Sequence, residues 1–443
     1  MTDNGVAPHA VVIGAGFCGL SAAHDLAKHG FAVTVLEQDA EIGGLAGSFS
    51  VNGTRLEKFY HHWFTSDRHI TELVAELGAA DQVVLRETRT GIFYANNMFK
   101  LSSPLDVLRF NPLSIIDRIR LGLLAVRARR IRDWRQLERL SAARWLRDMT
   151  GDNVYKVVWE PLLRGKFGSY ANDVSAVWFW NKLKLRGGSR GRGGSEQLAY
   201  YRGGFAALAE RLAATIRSNG GTVQTGTPVG RLLVSNGRCV GVVTGNGPVP
   251  ADIVIATPAL PIVADLVEPH LPQAYVRSLR KIKYLANVCL VLELDRSLSK
   301  TYWLNVNDPD FPFVGLIEHT NFEPPSTYGG RHIVYLSKYL QETEDYFLMS
   351  DREVLDFTLP YLRRMFPAIT REWILAAHVW RARYSQPVVE CNYHDLIPAS
   401  ETPMRGLYLA SMAQVYPEDR GTNYAVREGR RVAALIKSSQ AGA

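Results

Sequence analysis

The order of apolar and polar positions near the N-terminus predicts a strand, a turn, a helix and a second strand. Ala10–Ile13 is a short valine-rich apolar run, which is typical of a buried strand. Small and apolar side chains then recur with helical spacing until Gly30, and a second apolar run, Phe31–Leu36, ends directly before Glu37. These elements follow one another without a gap, so they form one complete structural unit.

Apolar runs later in the chain predict further helices and strands. Helices are expected after Gly204 and from Asn423 onward, and Phe64–Asn181 has a mostly helical pattern. Strands are expected around Val223 and Val229, and at Val240–Val243, Ile253–Ala256, Ala286–Leu292, Ile333–Leu340 and Leu407–Ala410. Because strands and helices alternate along the chain, the predicted fold class is α/β.

Three glycines in the first turn give it a specific chemistry. Gly14 permits the tight turn, Gly16 lets the backbone approach a pyrophosphate, and Gly19 lets helix and strand pack closely. The start of the helix offers free N–H groups to phosphates, and a carboxylate such as Glu37 can accept both ribose hydroxyls. The alternative is a glycine-rich turn in an unrelated sheet. The agreement of all these elements favours a dinucleotide site, and the acid favours FAD or NAD over NADP.

Length, composition and charge restrict the class of protein. The 443 residues suffice for two or three domains, and a hydrophobic content of 47% excludes a disordered or collagen-like chain. The net charge of +8 is compatible with nucleic acid, acidic lipid or a phosphorylated substrate as partner. No recognisable nucleic-acid-binding module accompanies the basic residues, so nucleic acid is not expected.

Cysteine usage and the lack of long apolar runs predict a cytoplasmic protein without a metal site. Cys18, Cys239, Cys289 and Cys391 are scattered and show no metal-ligand spacing. No apolar run is long enough to span a membrane, and no signal peptide is visible.

Two further segments resemble a known family. Gly43-Gly44-Leu45-Ala46 follows Glu37 closely, and Gly406–Ser411 with Tyr416–Gly429 forms a closing strand–helix motif. Together with the first turn they resemble the FAD-dependent amine oxidase, protoporphyrinogen oxidase and phytoene desaturase superfamily, whose paired glycines UDP-galactopyranose mutases share. The resemblance implies that the paired glycines run beside the diphosphate, and that the last helix points its N-terminus at the flavin. The helix dipole would stabilise negative charge on the reduced ring.

The resemblance implies a discontinuous fold and a set of cofactor-binding residues. A Rossmann-like FAD-binding domain would comprise residues 1–58, 203–262 and 392–443, and an α+β substrate-binding domain with a helical part would comprise 59–202 and 263–391. FAD would be held non-covalently, because the closing motif lacks a cysteine. The implied contacts are Gly14, Gly16, Phe17, Cys18, Gly19, Glu37, Gln38, Gly43, Gly44, Leu45, Ala46, His62, Val229, Asp419, Arg420, Thr422, Asn423 and Val426.

Two polar segments are the candidates for catalysis. His61 and His62 lie in an aromatic segment that, by the resemblance, crosses the flavin face, where His62 would orient substrate or relay a proton. The alternative is a hydrogen-bonded core histidine. The second candidate is the unusually polar stretch Glu318–Asn321, with His319 and Asn321 as reactive or orienting groups.

Substrate contacts are expected from a basic segment and from aromatic residues. Arg186, Arg190 and Arg192 lie in a glycine-rich stretch that suits an anion-binding lid, although a solvated surface loop is the alternative. The aromatic pocket candidates are Tyr302, Tyr339 and Tyr384.

Departures from the family pattern narrow the expected reaction. Leu45 stands where amine oxidases typically carry an arginine, and Tyr284–Leu290 lacks their flavin-linked lysine. We therefore expect an FAD-dependent oxidoreductase that takes a hydride from a C–H bond onto flavin N5. Its substrate would be a hydrophobic or anionic molecule, and phosphorylated and lipid-linked molecules are included. Oxygen or a quinone would be the electron acceptor. The alternative is a redox-neutral sugar-nucleotide mutase, which the histidine segment and the basic segment favour.

A basic amphipathic segment leaves peripheral attachment to the inner face of the cell membrane open. Within Pro104–Arg135, Ile116, Ile119, Leu123 and Val126 share one helical face, and arginines flank it. The alternative is a basic helix that packs on the substrate domain.

Overall fold

The computed structural model describes residues 7–100, 104–188 and 196–441. The strands in these ranges are β1 His9–Ile13, β2 Ala32–Leu36, β3 Ser48–Val51, β4 Thr54–Glu57, β5 Trp63–Phe64, β6 Val83–Thr88, β7 Thr90–Tyr94, β8 Asn97–Lys100, β9 Glu196–Tyr201, β10 Thr222–Gln224, β11 Val229–Ser235, β12 Arg238–Thr244, β13 Gly247–Pro250, β14 Ile253–Ala256, β15 Tyr284–Leu294, β16 Trp303–Val306, β17 Gly315–Glu318, β18 His332–Leu340, β19 Ile374–Pro387 and β20 Leu407–Leu409. The α-helices are α1 Phe17–Lys28, α2 Arg68–Glu76, α3 Pro104–Arg109, α4 Ile115–Arg130, α5 Ala142–Thr150, α6 Asp152–Val154, α7 Glu160–Phe167, α8 Ala176–Gly188, α9 Gly204–Ser218, α10 Leu260–Val267, α11 Gln273–Leu279, α12 Asp345–Leu348, α13 Asp351–Met365 and α14 Thr422–Ala441.

A parallel sheet of strand order β10-β2-β1-β14-β20 organises the dinucleotide side of the molecule. Its strands come from three separate parts of the sequence, as the resemblance implies, and the predicted α/β fold class is confirmed. The exact domain boundaries stay a prediction.

Both faces of this sheet are buried, which explains the continuous apolar runs of its strands. Along β1, Ala10 and Val12 pack into one core with α1, α9 and α14. Val11 and Ile13 point to the opposite face and pack into a second core that includes α10. A helix-covered parallel sheet of this kind places its ligand crevice at the carboxyl ends of the strands, where the glycine turn lies.

The second large sheet has the strand order β19-β15-β18-β17-β16-β7-β8. Alternate residues of β15 again serve two cores: Val288, Leu290 and Leu292 pack with α13, whereas Cys289 and Val291 belong to the core around α1. The sheet therefore lies between α13 on one face and the core around α1 on the other.

The segment predicted as mostly helical contains strands as well. Helices α3–α8 occupy residues 104–188, but β6, β7 and β8 lie between Val83 and Lys100. β7 and β8 form one edge of the large sheet, and β6 pairs with β9. Among the described residues, no helix is long and apolar enough to cross a membrane.

Candidate functional site

Two glycine turns meet at the carboxyl ends of β1 and β2. Gly14 N donates to Leu36 O at 2.8 Å, which ties the first turn to the end of β2. Gly43 N donates to Ala15 O at 2.9 Å, which brings the paired glycines against that turn. A Cβ added at Gly44 would lie 3.2 Å from Gly16 Cα, so the two backbones touch without intervening side chains. This double turn is a backbone-lined cradle that an added side chain would fill.

The cradle fits a dinucleotide pyrophosphate. Helix α1 begins at Phe17 directly behind Gly16, and a glycine N-cap has no side chain to satisfy the first N–H groups. Free N–H groups and the positive end of the helix dipole favour phosphate oxygens. Leu45 and Ala46 complete the short turn Gly44–Ala46 next to the cradle.

Glu37 lies at the end of β2 as predicted, and its carboxylate is buried. The carboxylate accepts hydrogen bonds from Ala15 N at 2.7 Å and Asp39 N at 3.0 Å. A carboxylate has about four acceptor positions, so two remain for ribose hydroxyls. Thr227 N donates to Glu37 O at 2.7 Å, which brings the loop before Val229 beside this acid, while Gln38 is exposed.

Several residues of the implied cofactor set have packing roles in the structure. The ring of Phe17 packs edge-on against Phe205 at 5.9 Å, and Val426 is fully buried. Asn423 Oδ1 accepts from Ile70 N at 3.1 Å. Cys18 Sγ is 3.2 Å from Ala410 O, and burial raises the pKa of this thiol. These side chains fix the positions of the first and last helices; contact with the cofactor stays a prediction.

The closing loop before α14 carries a group of charges. Lys182 Nζ lies 2.6 Å and Lys166 Nζ 3.8 Å from Asp419 Oδ2. Arg420 donates through Nη2 to the hydroxyl of Tyr339 on β18 at 2.8 Å. Sequence reasoning identified Asp419, Arg420 and Tyr339 separately and placed Lys182 in the basic, glycine-rich segment, but it did not identify Lys166 and did not group these residues.

His62 lies in an aromatic cluster, and its neighbour His61 faces a different side. His62 Nδ1 is 2.9 Å from the hydroxyl of Tyr302, and the rings of Trp303 and Phe322 lie 5.8 Å and 6.5 Å from its own. His61 Nδ1 is 2.5 Å from Phe59 O. Burial, together with a smaller effect of the Arg420 charge, lowers the pKa of His61 to about 4. His61 is therefore neutral at physiological pH.

The second polar candidate is an internally satisfied turn. His319 is buried with Nε2 2.7 Å from the hydroxyl of Tyr328, and burial lowers the pKa of His319 to about 3. Asn321 donates through Nδ2 to Ser299 O and Thr301 O, both at 3.0 Å. Both side chains thus form hydrogen bonds within the fold, which favours a structural role. A catalytic role of His319 or Asn321 stays a prediction.

The predicted substrate contacts fall in separate places. Tyr302 lies with His62 and Tyr339 with Arg420, whereas Tyr384 packs against Tyr284 with ring centroids 5.5 Å apart. Arg190 and Arg192 lie outside the described residues, and so does the side chain of Arg186.

Curated proteins with similar sequences include a phytoene dehydrogenase and a protoporphyrinogen oxidase. The chain is 28% identical over 301 residues to the phytoene dehydrogenase of Streptomyces griseus, covering 61% of this chain and 59% of that one. It is 30% identical over 120 residues to the mitochondrial protoporphyrinogen oxidase of Nicotiana tabacum, covering 26% and 24%. The chain thus matches at most about three fifths of these relatives' lengths.

Solved structures share the fold over nearly the whole chain. An oxidoreductase from Methanosarcina mazei has a TM-score of 0.75 at 22% identity, covering 96% of this chain and 100% of that one. Reduced UDP-galactopyranose mutase has a TM-score of 0.76 at 14% identity, covering 98% and 96%. Putrescine oxidase bound to putrescine has a TM-score of 0.70 at 18% identity, covering 98% and 99%.

The solved structures show the fold alone, whereas a family profile shows which family the chain belongs to. The profile described as flavin containing amine oxidoreductase matches residues 17–437, from the first helix of the cradle to the last helix of the chain. The chain belongs to the family of flavin-containing amine oxidoreductases.

Proposed function

We propose that the protein is an oxidoreductase that holds FAD non-covalently and oxidises a C–H bond of a hydrophobic or anionic substrate. The observation that carries the proposal is the cradle of Gly16, Gly43 and Gly44 with the buried carboxylate of Glu37 at its end. When bound, FAD supplies a two-electron acceptor, N5, for the hydride of that C–H bond. Oxygen or a quinone is the proposed final acceptor.

The protein's own contribution is to bind, orient and exclude water. The start of α1 neutralises phosphate charge, and the start of α14 supplies a second positive helix end beside Asp419 and Arg420. The ring of His62 is oriented by the hydroxyl of Tyr302 and lies among aromatic rings, so it can hold or pass a proton in a partly buried environment.

The proposal is tested by identifying the cofactor and watching it react. Mass spectrometry of the released cofactor comes first, and oxygen-free titration with candidate C–H donors follows while the flavin absorbance is recorded. Substrate-dependent bleaching of the flavin supports net oxidation. Turnover that occurs only after dithionite reduction, without bleaching by substrate, would overturn it in favour of the redox-neutral mutase.

His62→Ala is expected to retain flavin and to lower turnover by about 10²-fold or more, the scale for losing a positioned proton-transfer group. Steady-state kinetics with the substrate found above, together with the flavin-to-protein absorbance ratio, measure the two effects. His270→Ala is the control, because His270 is an exposed histidine after α10. Wild-type turnover in His62→Ala would assign His62 a structural role only.

The proposal includes a membrane-facing surface on α3 and α4. Leu121, Leu124 and Ala128 bury one side of α4, so the apolar residues on its other side face outward. We call these residues the apolar face: Leu105, Leu108, Ile115, Ile116, Ile119, Leu123 and Val126, all of them exposed. Exposed arginines in the last turn of α4 complement acidic lipid, so the proposed occupant is an anionic membrane surface.

Changing Arg127, Arg129 and Arg130 to Glu is expected to abolish vesicle binding, because each basic residue near an anionic surface contributes about 1 kcal/mol. Cosedimentation with anionic liposomes at low salt measures it. The matched control replaces Arg217, Arg231 and Arg277, three exposed arginines elsewhere, with Glu. Wild-type protein that stays wholly in the supernatant would refute membrane association.

A further inference from the structure

Four charged residues from distant parts of the chain converge beside the closing loop. We call them the basic cluster: Lys166 at the end of α7, Lys182 in α8, and Asp419 and Arg420 directly before α14. Lys182 Nζ is 2.6 Å and Lys166 Nζ 3.8 Å from the same oxygen, Asp419 Oδ2. Gln386 donates through Nε2 to the other oxygen at 3.1 Å. The Asp419 carboxylate therefore faces two lysine ammonium groups, and the charge of its neighbour Arg420 acts on it as well.

The excess positive charge of the basic cluster is held where water screens it poorly. The side chain of Asp419 is 4% exposed and that of Lys166 is 18% exposed. Although burial by itself raises the pKa of Asp419, the charges of Lys182, Lys166 and Arg420 outweigh it and hold that pKa well below its usual range. Burial and the neighbouring cations lower the pKa of Lys166 to about 7. Partly buried cations whose charge is only partly compensated are costly, so an anion that binds at the cluster would be stabilised there.

Unpartnered donors surround the same place. Arg420 Nε and the indole nitrogen of Trp178 are buried, and neither has a hydrogen-bond partner among the described residues. The Trp178 ring lies against both lysines, with its centroid 4.9 Å from Lys166 Nζ and 5.7 Å from Lys182 Nζ. Asp67 is a further carboxylate whose pKa the charge of Lys182 affects, and it forms no ion pair within the described ranges. Arg420 Nε and the Trp178 indole N–H are donors, so the group that they lack is a hydrogen-bond acceptor.

The lysines of the basic cluster come from other elements than the pyrophosphate cradle does. They lie in α7 and α8, whereas the cradle lies at the start of α1. The start of α14 immediately after Arg420 adds the positive end of a 20-residue helix. Lys182 keeps 34% of its side chain exposed, so the cluster can be reached from solvent.

We propose that the basic cluster binds an anionic group of the substrate, a carboxylate or a phosphate, through Lys166, Lys182 and Arg420. This inference rests on the proposed function and narrows its substrate to a molecule with an acidic head and an oxidisable C–H bond. The rings of Trp178 and Tyr339 lie against Lys166 and provide apolar surface next to the charges. The substrate therefore has an apolar part adjoining its acidic group.

The test titrates oxidised holoenzyme with inorganic phosphate and with acetate, against chloride at equal ionic strength. The melting temperature and the flavin difference spectrum are recorded. In wild type we expect a saturable effect of one or both probes and none of chloride. Lys166→Met and Lys182→Met are expected to weaken probe binding at least tenfold. Lys184→Met is the matched control, because Lys184 is an exposed lysine on the same helix as Lys182 and should leave binding unchanged.

Each outcome of this experiment supports or overturns the inference. An effect of acetate alone assigns a carboxylate, an effect of phosphate alone a phosphate, and effects of both leave the shared acidic group. No saturable effect in wild type, or equal binding in the lysine variants, overturns it. The inference is also overturned if wild type binds neither probe while the lysine variants have a lower flavin midpoint potential. The basic cluster would then act on the flavin and not on the substrate.

Further variants and the flavin content distinguish a loss of anion binding from a loss of folding or of FAD. If Lys182→Met fails to fold, Lys166→Met decides, because it leaves the 2.6 Å ion pair between Lys182 and Asp419 intact. Lys182→Arg retains the charge and should retain probe binding. Protein that never binds FAD contradicts the proposed function itself, whereas yellow protein without an anion effect contradicts only the basic cluster's role.

Discussion

Wild-type protein is expected to be yellow and to release FAD rather than FMN on denaturation, whereas Glu37→Arg is expected to lose the cofactor. FAD alone has the adenosine half whose ribose Glu37 can bind. Hydrogen bonds to a charged group contribute about 1.5–3 kcal/mol each, so losing two of them weakens binding by at least about 10²-fold. The ratio of flavin to protein absorbance after gel filtration measures retention, and titration of stripped protein with FAD gives the affinity.

Two companion variants separate cofactor binding from folding. Glu37→Gln keeps one acceptor oxygen for Ala15 N or Asp39 N, so it should fold and bind FAD with intermediate affinity. Glu72→Arg makes the same charge change at an exposed position of α2 and should bind FAD normally. Wild-type FAD affinity in a folded Glu37→Arg protein would contradict the assignment of this acid to the ribose.

The dinucleotide side could be predicted from the sequence because its signals are local. β1 after His9 and the whole of β14 are buried on both faces, so these residues are all apolar, and the glycine turn follows β1 directly. Strands β6 and β8 carry a weaker signal. Both are partly exposed, Leu85 points outward, and their partners set their structure more than their own pattern does.

The grouping of the basic cluster could not be predicted because only tertiary structure brings its residues together. Lys166 and Lys182 lie in a helical region rich in lysine and arginine, where each is typical of a solvated helix surface. Their shared partner, Asp419, follows more than two hundred residues later in the chain. Conversely, the polarity of Glu318–Asn321 suggested reactivity, but Glu318 accepts from Leu298 N at 2.9 Å and Ser299 N at 2.8 Å, so much of that polarity serves to hold a turn.

Gly19→Ala is expected to prevent formation of the folded, flavin-bound protein. An added Cβ at Gly19 would lie 2.0 Å from Gly14 O and 3.2 Å from a methyl group of Val12, and the first of these contacts is with backbone. Neither the helix nor the glycine turn can move away without opening the cradle. Overpacking a buried site costs about 1–3 kcal/mol or more, which is a large part of the stability of a domain. Yield of folded protein, melting temperature and flavin content measure the effect.

Gly122→Ala provides the matched control for this close approach. Gly122 lies within α4, where an added Cβ would meet no atom of the described residues within 4 Å. Alanine is the better helix former by about 1 kcal/mol, so this variant should be as stable as wild type or slightly more stable, and it should bind FAD normally. Equal melting temperatures and flavin contents for Gly19→Ala and Gly122→Ala would show that α1 need not touch the glycine turn. The tight packing behind the pyrophosphate cradle would then have no part in flavin binding.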